Sequence, residues 1–483
     1  MAHRVIIIGG GITGLSAAHR LLELQEDPSQ LDVKLIESSD RVGGTIQTIE
    51  RDGFLVEKGP DSFLSTKPWL LDLCKRIGIT DRVIPSNSKN RRTYIVYRGG
   101  LHQLPEGFLM MAPSKFRPFV TSPLFSWSGK LRIALDLVLP RADPSEDESL
   151  ASFVRRRLGS EALERVAQPL IGGIYTGDPE NLSLRATMPR FLDMEQNYGS
   201  VIKAMWREQR SAAAKRSRKN GAADSGARYS MMVSFDRGMQ TIIDEMVARI
   251  PANSLHLNHK VTGVRRLDTE WQVKTAGGMH YTADDVMIAL PAYSASSMLK
   301  DYDAGLSKRL SAIPYASSAV VNFAFHREDI PHPLDGFGFV VPVIEGRDII
   351  ATTFCSVKFP DRAPDGKVLL RVFVGGAMQA HLFDMDDADI CRVAREELRD
   401  LIGIVKDPMW TMVTRWPLSM PQYIVGHMQQ VKQIQSLAAE HKGLSLMGNA
   451  YSGVGLPDCV RSGESAAERV MERVHQADPV LQE

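Results

Sequence analysis

Three glycines near the start of the chain have the spacing of a phosphate-binding turn. The run Gly9-x-Gly11-x-x-Gly14 follows the apolar residues 5–8 and precedes a helical apolar period. In such a turn the first glycine allows a tight bend, the second lets a pyrophosphate approach the backbone, and the third lets the helix pack on the strand. Glu37 ends the next predicted strand, where an acid binds a ribose hydroxyl pair. These residues predict dinucleotide binding, since the phosphates would face a helix N-terminus.

A second glycine pair follows this acid. The pattern is Glu37-x-x-x-Arg41-x-Gly43-Gly44, which is more specific than the first motif. Two glycines let another stretch of backbone approach the cofactor, and Arg41 supplies a cation near its phosphates. A nicotinamide dehydrogenase has no need of this second loop. The alternative is a surface turn that carries an incidental arginine.

The elements that position these motifs come from three separate parts of the chain. Residues 5–8 and 33–36 are predicted as buried strands, and residues 284–291 as a third. A short strand at 444–448 leads through a glycine-bearing loop into a helix opened by Pro457 and Asp458. The chain therefore leaves the nucleotide-binding unit twice and returns to it twice.

The first excursion is rich in proline and aromatic residues between 104 and 140. Short helices are expected there, and they either cap a hydrophobic cavity or rest on a membrane surface. We favour the cavity because the charges are sparse and the apolar runs are short. A helix over 148–167 is expected to break at Gly159, and the basic stretch 203–225 is interpreted as a mobile, solvated loop. This loop could also attract a polyanionic substrate.

The second excursion, from about 293 to 440, alternates apolar and polar residues in several short runs. This pattern predicts a mixed or antiparallel sheet with one face against a ligand. The predicted strands are 319–325, 338–343, 349–354, 368–374 and 410–416, with a helix over 387–402.

Composition excludes several classes of protein. Among 483 residues, 58 Lys plus Arg balance 57 Asp plus Glu, so the overall charge predicts no nucleic-acid binding. The four cysteines have no Cys-x-x-Cys spacing, which favours reduced thiols over disulfides or a zinc site, and no metal site is expected. The chain enters its first strand at once and has no apolar run long enough to span a bilayer. These features predict a cytoplasmic protein with at most peripheral membrane contact.

The second glycine loop resembles that of the flavin-containing family of amine oxidases, carotenoid desaturases and porphyrinogen oxidases. The resemblance implies an α/β fold in which a Rossmann-like FAD-binding domain carries an inserted mixed-sheet substrate domain and a helical domain. It also implies FAD as the cofactor. No cysteine lies between Leu444 and Leu456, unlike in the covalent amine oxidases, so noncovalent FAD is expected. The residues that the resemblance places near FAD are Gly9, Gly11, Ile12, Thr13, Gly14, Glu37, Ser38, Arg41, Gly44, Thr45, Gly59, Pro60, Asp61, Ser62, Val261, Trp416, Val454, Gly455 and Leu456.

Other stretches resemble porphyrinogen oxidases of haem synthesis, above all the Gram-positive bacterial type. They are Pro169 to Asp178, Phe359 to Leu370 with Gly375-Gly376, Arg415-Trp416 with Met420 to His427, and Gly453 to Cys459. The implied reaction is a six-electron oxidation of coproporphyrinogen III to coproporphyrin III in three flavin turnovers. Each turnover would pass a hydride to flavin N5 and then reduce molecular oxygen to hydrogen peroxide. Ferrochelatase, the next haem-pathway enzyme, is an implied partner.

Such a reaction needs a flat apolar slot over the flavin and cations at its rim rather than acid–base side chains. The resemblance implies that Gly173 and Ile174 line the slot. No catalytic group is expected beyond flavin N5, apart from the Gly173 carbonyl near the pyrrole centre. Lys67 and Arg92 are the predicted ligands of the substrate propionates.

Three alternatives remain open at this point. The first is the same chemistry on protoporphyrinogen IX, and the second is a different flavin oxidase that acts on amines or carotenoids. The third is a non-enzymatic protein like the prenyl-GTPase escort proteins. The predicted domains are FAD-binding (1–90, 235–292 and 441–483), helical and capping the cavity (103–205), and substrate-binding (91–102, 206–234 and 293–440).

Overall fold

A five-stranded parallel sheet forms the centre of the nucleotide-binding unit in the computed structural model, which describes residues 2–109, 112–113, 115–143, 145–218 and 231–477. Its β-branched strands are buried on both faces, as parallel strands covered by helices require. The predicted strands at 5–8, 33–36, 284–291 and 444–448 are confirmed, and the sheet adds one short strand. In spatial order the strands are Leu255–His256, Leu31–Ile36, His3–Ile8, Asp285–Ile288 and Leu444–Leu446.

Two long helices pack against each other on this sheet. Helix Ile12–Leu24 follows the glycine turn, and helix Leu456–Ala477 closes the described chain. Their backbones come close because Gly463 has no side chain. A Cβ there would lie 2.3 Å from the carbonyl oxygen of Thr13. Helices Trp69–Arg76 and Gln240–Val247 complete this core.

A seven-stranded mixed sheet forms the second large unit, as the alternation in the second excursion predicted. One pair, Gly338–Val340 with Thr93–Tyr97, is parallel and the others are antiparallel. The order is Trp410–Pro421, Tyr315–His326, Lys367–Gly375, Ala351–Phe354, Gly338–Val340, Thr93–Tyr97 and Gly100–Gln103. Helices Cys355–Lys358, Ala380–Phe383 and Asp387–Ile402 pack on this sheet. Helices Ala292–Leu299, Ala304–Ser311 and His427–Ala439 pack instead in a core shared with the parallel sheet.

The first excursion of the chain from the nucleotide-binding unit forms a helical unit with its own apolar core. The predicted break at Gly159 is confirmed, because its φ of 90° is a conformation that glycine adopts readily. Arg157 is fully buried in this unit and pairs with the equally buried Asp136. The helices are Phe116–Thr121, Trp127–Ala134, Leu150–Arg157, Ser160–Ala162, Gln168–Tyr175, Leu184–Thr187, Pro189–Tyr198 and Val201–Arg218, with a π-helical turn at Leu163–Ala167.

Smaller elements connect these units. Short 3₁₀ turns occupy Thr80–Arg82, Leu135–Leu137, Ala252–Ser254, Arg327–Asp329 and Val343–Glu345. The small sheets pair Thr48–Arg51 with Phe54–Glu57, Phe108–Leu109 with Ala112–Pro113, Met232–Phe235 with Phe63–Leu64 and Val83–Pro85, and Val261–Leu267, Glu270–Thr275 and His280–Ala283 as a meander.

One sequence prediction is wrong in this part of the chain. Residues 203–218, interpreted as loop, continue the helix that begins at Val201. Alanine, arginine and lysine are good helix formers, and this composition outweighs the charge run. The rest of that predicted loop, 219–225, and the part 219–230 of the segment 206–234 assigned to the substrate domain lie outside the described residues. The domain boundaries stay a prediction.

No helix among the described residues is long and apolar enough to cross a bilayer.

Candidate functional site

The glycine turn after strand His3–Ile8 is held together by its own backbone. Gly9 has a φ of 107°, and a Cβ on Gly14 would lie 1.9 Å from the Gly9 carbonyl oxygen. The second glycine pair packs directly on this turn, because the Gly43 N–H donates to the Gly10 carbonyl at 2.7 Å. Gly44 also approaches Gly11, since a Cβ on Gly44 would lie 3.3 Å from the Gly11 Cα. The two motifs, separated in sequence, therefore form one surface.

Gly11 differs from Gly9 and Gly14 because neither its backbone conformation nor a close protein contact requires a glycine there. Its φ of −68° is open to any residue. A Cβ built at this position meets no protein atom within 4 Å. The space that glycine leaves open is therefore available to a ligand beside the helix N-terminus, where a phosphate group is favoured.

A cleft of about 410 Å³ lies beside this turn, at the carboxyl ends of the parallel strands. Glu37 lines it and accepts hydrogen bonds from the Gly10 N–H at 2.7 Å and from the Ser39 N–H at 2.9 Å. Ser38 and Val261, both predicted from the sequence, line the same cleft. A nucleoside fits a site of this size and place, because ligands of open α/β sheets bind where the strands end.

The Arg41 guanidinium is hydrogen-bonded to the backbone of the second loop. Its guanidinium donates to the carbonyl oxygens of Val42 at 2.9 Å, Ile46 at 3.2 Å and Gly44 at 2.5 Å. These bonds leave its positive charge within the loop that faces Gly11. The structure therefore gives Arg41 a structural contact that the sequence did not predict, next to the expected phosphate position.

The loop Gly59–Ser62 is fixed by cations from the second large sheet. Arg371, which is 4% exposed, donates to the Gly59 carbonyl. Lys358 donates to both carboxylate oxygens of Asp61, at 3.0 and 2.9 Å. Burial would raise the pKa of Asp61, but the charges of Lys358 and Arg371 outweigh it and hold this pKa below its usual range.

Two further contacts anchor the same loop. The Trp416 indole N–H donates to the Lys58 carbonyl at 2.8 Å. Gly59 packs so closely on Thr45 that a Cβ would lie 1.7 Å from the Thr45 carbonyl oxygen. Beneath the loop, burial raises the pKa of Glu57 to about 7. The predicted residues Thr45, Gly59, Asp61 and Trp416 thus belong to one rigid assembly.

The loop before the last helix carries the third part of the site. Asp458 is buried beneath Gly453 and Gly455, whose added Cβ atoms would lie within 3 Å of its side chain. The Lys67 ammonium donates to the Asp458 carboxylate at 2.5 Å. Lys67, predicted as a propionate ligand, is therefore ion-paired at the start of helix Leu456–Ala477.

Helix Gln168–Tyr175 presents Gly173 and Ile174 on an exposed surface, although the helix is apolar between its two end residues. Ile174 is 45% exposed, and a Cβ on Gly173 would meet only Val340, at 3.8 Å. These two residues form an exposed apolar surface beside strand Gly338–Val340. The other predicted propionate ligand, Arg92, pairs with Asp335 and its side chain is 50% exposed.

Comparison with known proteins decides the class to which this site belongs. The family model described as Flavin containing amine oxidoreductase matches residues 12–471. The chain belongs to this family. It is therefore a flavin-containing oxidoreductase with the amine-oxidase-like fold.

Individual relatives match over nearly the whole chain. A protein of Bacillus subtilis (strain 168) named coproporphyrinogen III oxidase is 36% identical over 96% of this chain and 96% of its own. One of Staphylococcus aureus with the same name is 34% identical over 98% and 99%. A crystal structure of a protein from Exiguobacterium sp. 255-15 has a TM-score of 0.84 and 29% identity over 98% of this chain and 99% of its own.

The cleft beside Glu37 has lining residues that the sequence analysis missed. The polar side chains of His259, Lys260, Tyr293, Ser294 and Ser297 line the cleft beside Glu37. The first two directly precede Val261, so their place next to a predicted cofactor residue was the available signal. Lys358 and Arg371 gave no local signal, because they lie about 300 residues from the loop that they hold. No group of metal-binding side chains occurs in the described parts of the chain.

Proposed function

We propose that this protein is an FAD-dependent coproporphyrinogen III oxidase of haem biosynthesis. The observation that carries the proposal is the near-full-length likeness to two relatives of that name. The reaction would remove six electrons and six hydrogens from one coproporphyrinogen III. Three molecules of oxygen would take them up as three of hydrogen peroxide. The bound flavin supplies the redox chemistry, accepting two electrons in each turnover and passing them to oxygen.

The open space at Gly11 supports FAD as the form of the flavin. A pyrophosphate would lie there, the adenosine half would enter the cleft at Glu37, and Glu37 with Ser38 would meet the ribose. Noncovalent binding is supported by Cys459, the cysteine nearest the final loop in sequence. Burial raises the pKa of its thiol to about 12, which keeps it protonated and unreactive.

The chain's own contribution to the reaction would be position and charge. Gly173 and Ile174 would form the floor of a slot for a flat macrocycle. The N-terminus of helix Leu456–Ala477, with Val454 and Gly455 before it, would favour negative charge on the pyrimidine edge of the flavin. Lys67 and Arg92 are each ion-paired with a carboxylate in this structure. Each residue would therefore have to release its carboxylate partner in order to bind a propionate.

Anaerobic stopped-flow reduction tests the function directly. The purified protein is mixed with coproporphyrinogen III and, separately, with protoporphyrinogen IX. The absorbance of the flavin band at about 450 nm is followed in each case. We expect faster bleaching with the four-propionate substrate and porphyrin fluorescence when air is admitted. Gly173→Leu should fill the slot and slow bleaching at least about tenfold while the flavin stays bound.

Each other outcome has a separate meaning. Bleaching by protoporphyrinogen IX alone would support the same oxidation but make protoporphyrinogen IX the substrate. Bleaching only by amines or carotenoids would make the chain a different flavin oxidase. A colourless protein that binds no added FAD would favour a non-enzymatic escort protein.

The helical unit supports the proposal of peripheral membrane contact. Trp127, Leu131, Leu135 and Val138 share one face of a helix and its 3₁₀ extension, and they are 48–77% exposed. Residues 115–135 contain four basic and no acidic side chains. The expected cavity-capping role fits other aromatic residues here, since Phe108, Phe119 and Phe125 are buried in the core. An anionic lipid surface suits an exposed apolar face with a basic border.

Vesicle sedimentation checks this contact. We expect binding to phosphatidylglycerol vesicles in preference to phosphatidylcholine vesicles, and a loss of about tenfold or more in the double variant Trp127→Ser with Leu131→Ser. Leu267→Ser is the matched control, because Leu267 is a 46% exposed leucine elsewhere. Equal losses in both variants would contradict a specific lipid-binding face.

The remaining partners follow from the chemistry. The porphyrin product would be handed to ferrochelatase, which inserts the metal. All four cysteines are free thiols, which supports a cytoplasmic location.

A further inference from the structure

One tyrosine hydroxyl holds both ends of the turn before the last helix. Tyr423 donates to the Asn449 carbonyl oxygen at 2.5 Å and accepts from the Gly453 N–H at 2.7 Å. This turn leads directly to Leu456, where the helix begins. The hydroxyl therefore determines where the loop carrying Val454 and Gly455 lies.

The ring of Tyr423 is itself fixed. It is 2% exposed and stacks on the His427 imidazole, with ring centres 4.0 Å apart and planes 13° apart. Its backbone carbonyl accepts from the Ser183 N–H at 2.8 Å. Burial raises the pKa of the Tyr423 hydroxyl, so it keeps its proton and continues to donate. A rigid ring with a protonated hydroxyl suits a fixed support.

The preceding residue holds the opposite wall of the site. The Gln422 amide donates to the Tyr175 carbonyl at 3.1 Å and to the Met420 carbonyl at 3.1 Å. Tyr175 ends the helix that carries Gly173. Gly177, just beyond it, packs so closely that a Cβ would lie 2.4 Å from the Gln422 Oε1. Gln422 therefore fixes the end of the helix on the substrate side.

We propose that Tyr423 and Gln422 are paired positioning residues, one for the flavin and one for the porphyrinogen. Because they are consecutive, they fix the distance between the final loop and the helix of Gly173. Neither touches the reacting atoms, and their effects should be separable. This inference rests on the proposed function, in which the final loop faces the flavin and Gly173 faces the substrate.

The first test is Tyr423→Phe in the flavin-loaded protein. The ring keeps its stack on His427, but the turn loses both hydrogen bonds, so the helix N-terminus holds the flavin less closely. We expect reduced flavin to be bound about tenfold less tightly relative to oxidised flavin. For a two-electron couple this is a fall of about 30 mV in reduction potential. The potential is measured by anaerobic dye equilibration, which needs no porphyrinogen.

The second test separates the two roles. Gln422→Met should raise the KM for coproporphyrinogen III about tenfold and leave the flavin potential unchanged. Tyr302→Phe is the control for loss of a tyrosine hydroxyl, since that hydroxyl pairs with His441 instead. It should change neither quantity.

A Tyr423→Phe protein with lower thermal stability but an unchanged potential would overturn the positioning role, because Tyr423 would then be structural only. A potential that shifts equally in Gln422→Met would overturn the division between the two residues. A wild-type protein without flavin would instead refute the proposed function, and this inference with it. The three failures are therefore distinguishable.

Discussion

Alanine at Gly11 is expected to abolish tight flavin binding without damaging the fold. The free chain has room for the methyl group, because no protein atom lies within 4 Å of a Cβ built there. The φ of −68° adds no strain. Only a ligand that occupies the open space can oppose the substitution. The cost should therefore appear in binding and nowhere else.

Crowding a closely packed contact by one methyl group costs about 1–3 kcal/mol, which is about 5- to 160-fold in affinity. We expect Gly11→Ala to lower the affinity for FAD towards the upper end of that range, measured by calorimetric titration of the apoprotein. Gly277→Ala is the matched control. It lies in an exposed turn, where a Cβ would meet only Thr275, at 4.0 Å.

Gly14→Ala should show the opposite pattern. Its Cβ would lie 1.9 Å from the Gly9 carbonyl, so the apoprotein itself should be destabilised. Unchanged FAD affinity in Gly11→Ala would mean that the phosphates do not pass this glycine. A fall in apoprotein stability equal to that of Gly14→Ala would mean that the position is structural.

The parts of the fold that the sequence predicted well are those with strong local signals. Residues 5–8 form a β-branched run that ends in a glycine turn, and both features act over a few residues. The break at Gly159 is also local, because the conformation belongs to one residue. The helix through 203–218 was missed because a run of cations suggests loop while the same side chains favour helix.

The site was less predictable because its contacts join distant residues. Lys67 was identified as a cation, but its partner Asp458 lies 391 positions away and no local pattern pairs them. Arg41 was predicted to supply a cation near the cofactor phosphates, whereas its hydrogen bonds to backbone carbonyls depend on the fold of the second loop and were not predicted. Sequence motifs therefore located the two glycine loops that pack into one surface, whereas the ion pairs of the neighbouring loops needed the structure.

Removing the ammonium of the buried Lys358 is expected to lower the free energy of unfolding more than removing the charge of any exposed cation. Lys358 and Asp61 are both largely buried, with side chains 11% and 19% exposed, and Lys358 donates to both carboxylate oxygens. Breaking a buried pair by removing one partner typically costs about 3–5 kcal/mol, because a charge is left unpaired. We expect Lys358→Met to lower the free energy of unfolding by about 3 kcal/mol at pH 7, measured by urea unfolding. Lys300→Met, at an exposed lysine, is the control and should be nearly neutral.

The dependence of this loss on pH identifies Asp61 as its cause. In the wild type the pKa of Asp61 lies below the usual range for an aspartate. The ion pair therefore stabilises the fold at pH values above that usual range. This stabilisation is lost only as pH falls towards the lowered pKa. Without Lys358, only Arg371 remains of the two cations that oppose burial, so the pKa of Asp61 rises from its wild-type value and the carboxyl takes up a proton more readily as pH falls. The stability gap between the two proteins should therefore narrow as pH falls from 7 towards 4. Adding Asp61→Asn to Lys358→Met should recover most of the loss at pH 7, because the carboxylate that Lys358 paired is then no longer charged. A gap that is constant with pH, or no recovery in the double variant, would show that Lys358 acts through packing instead.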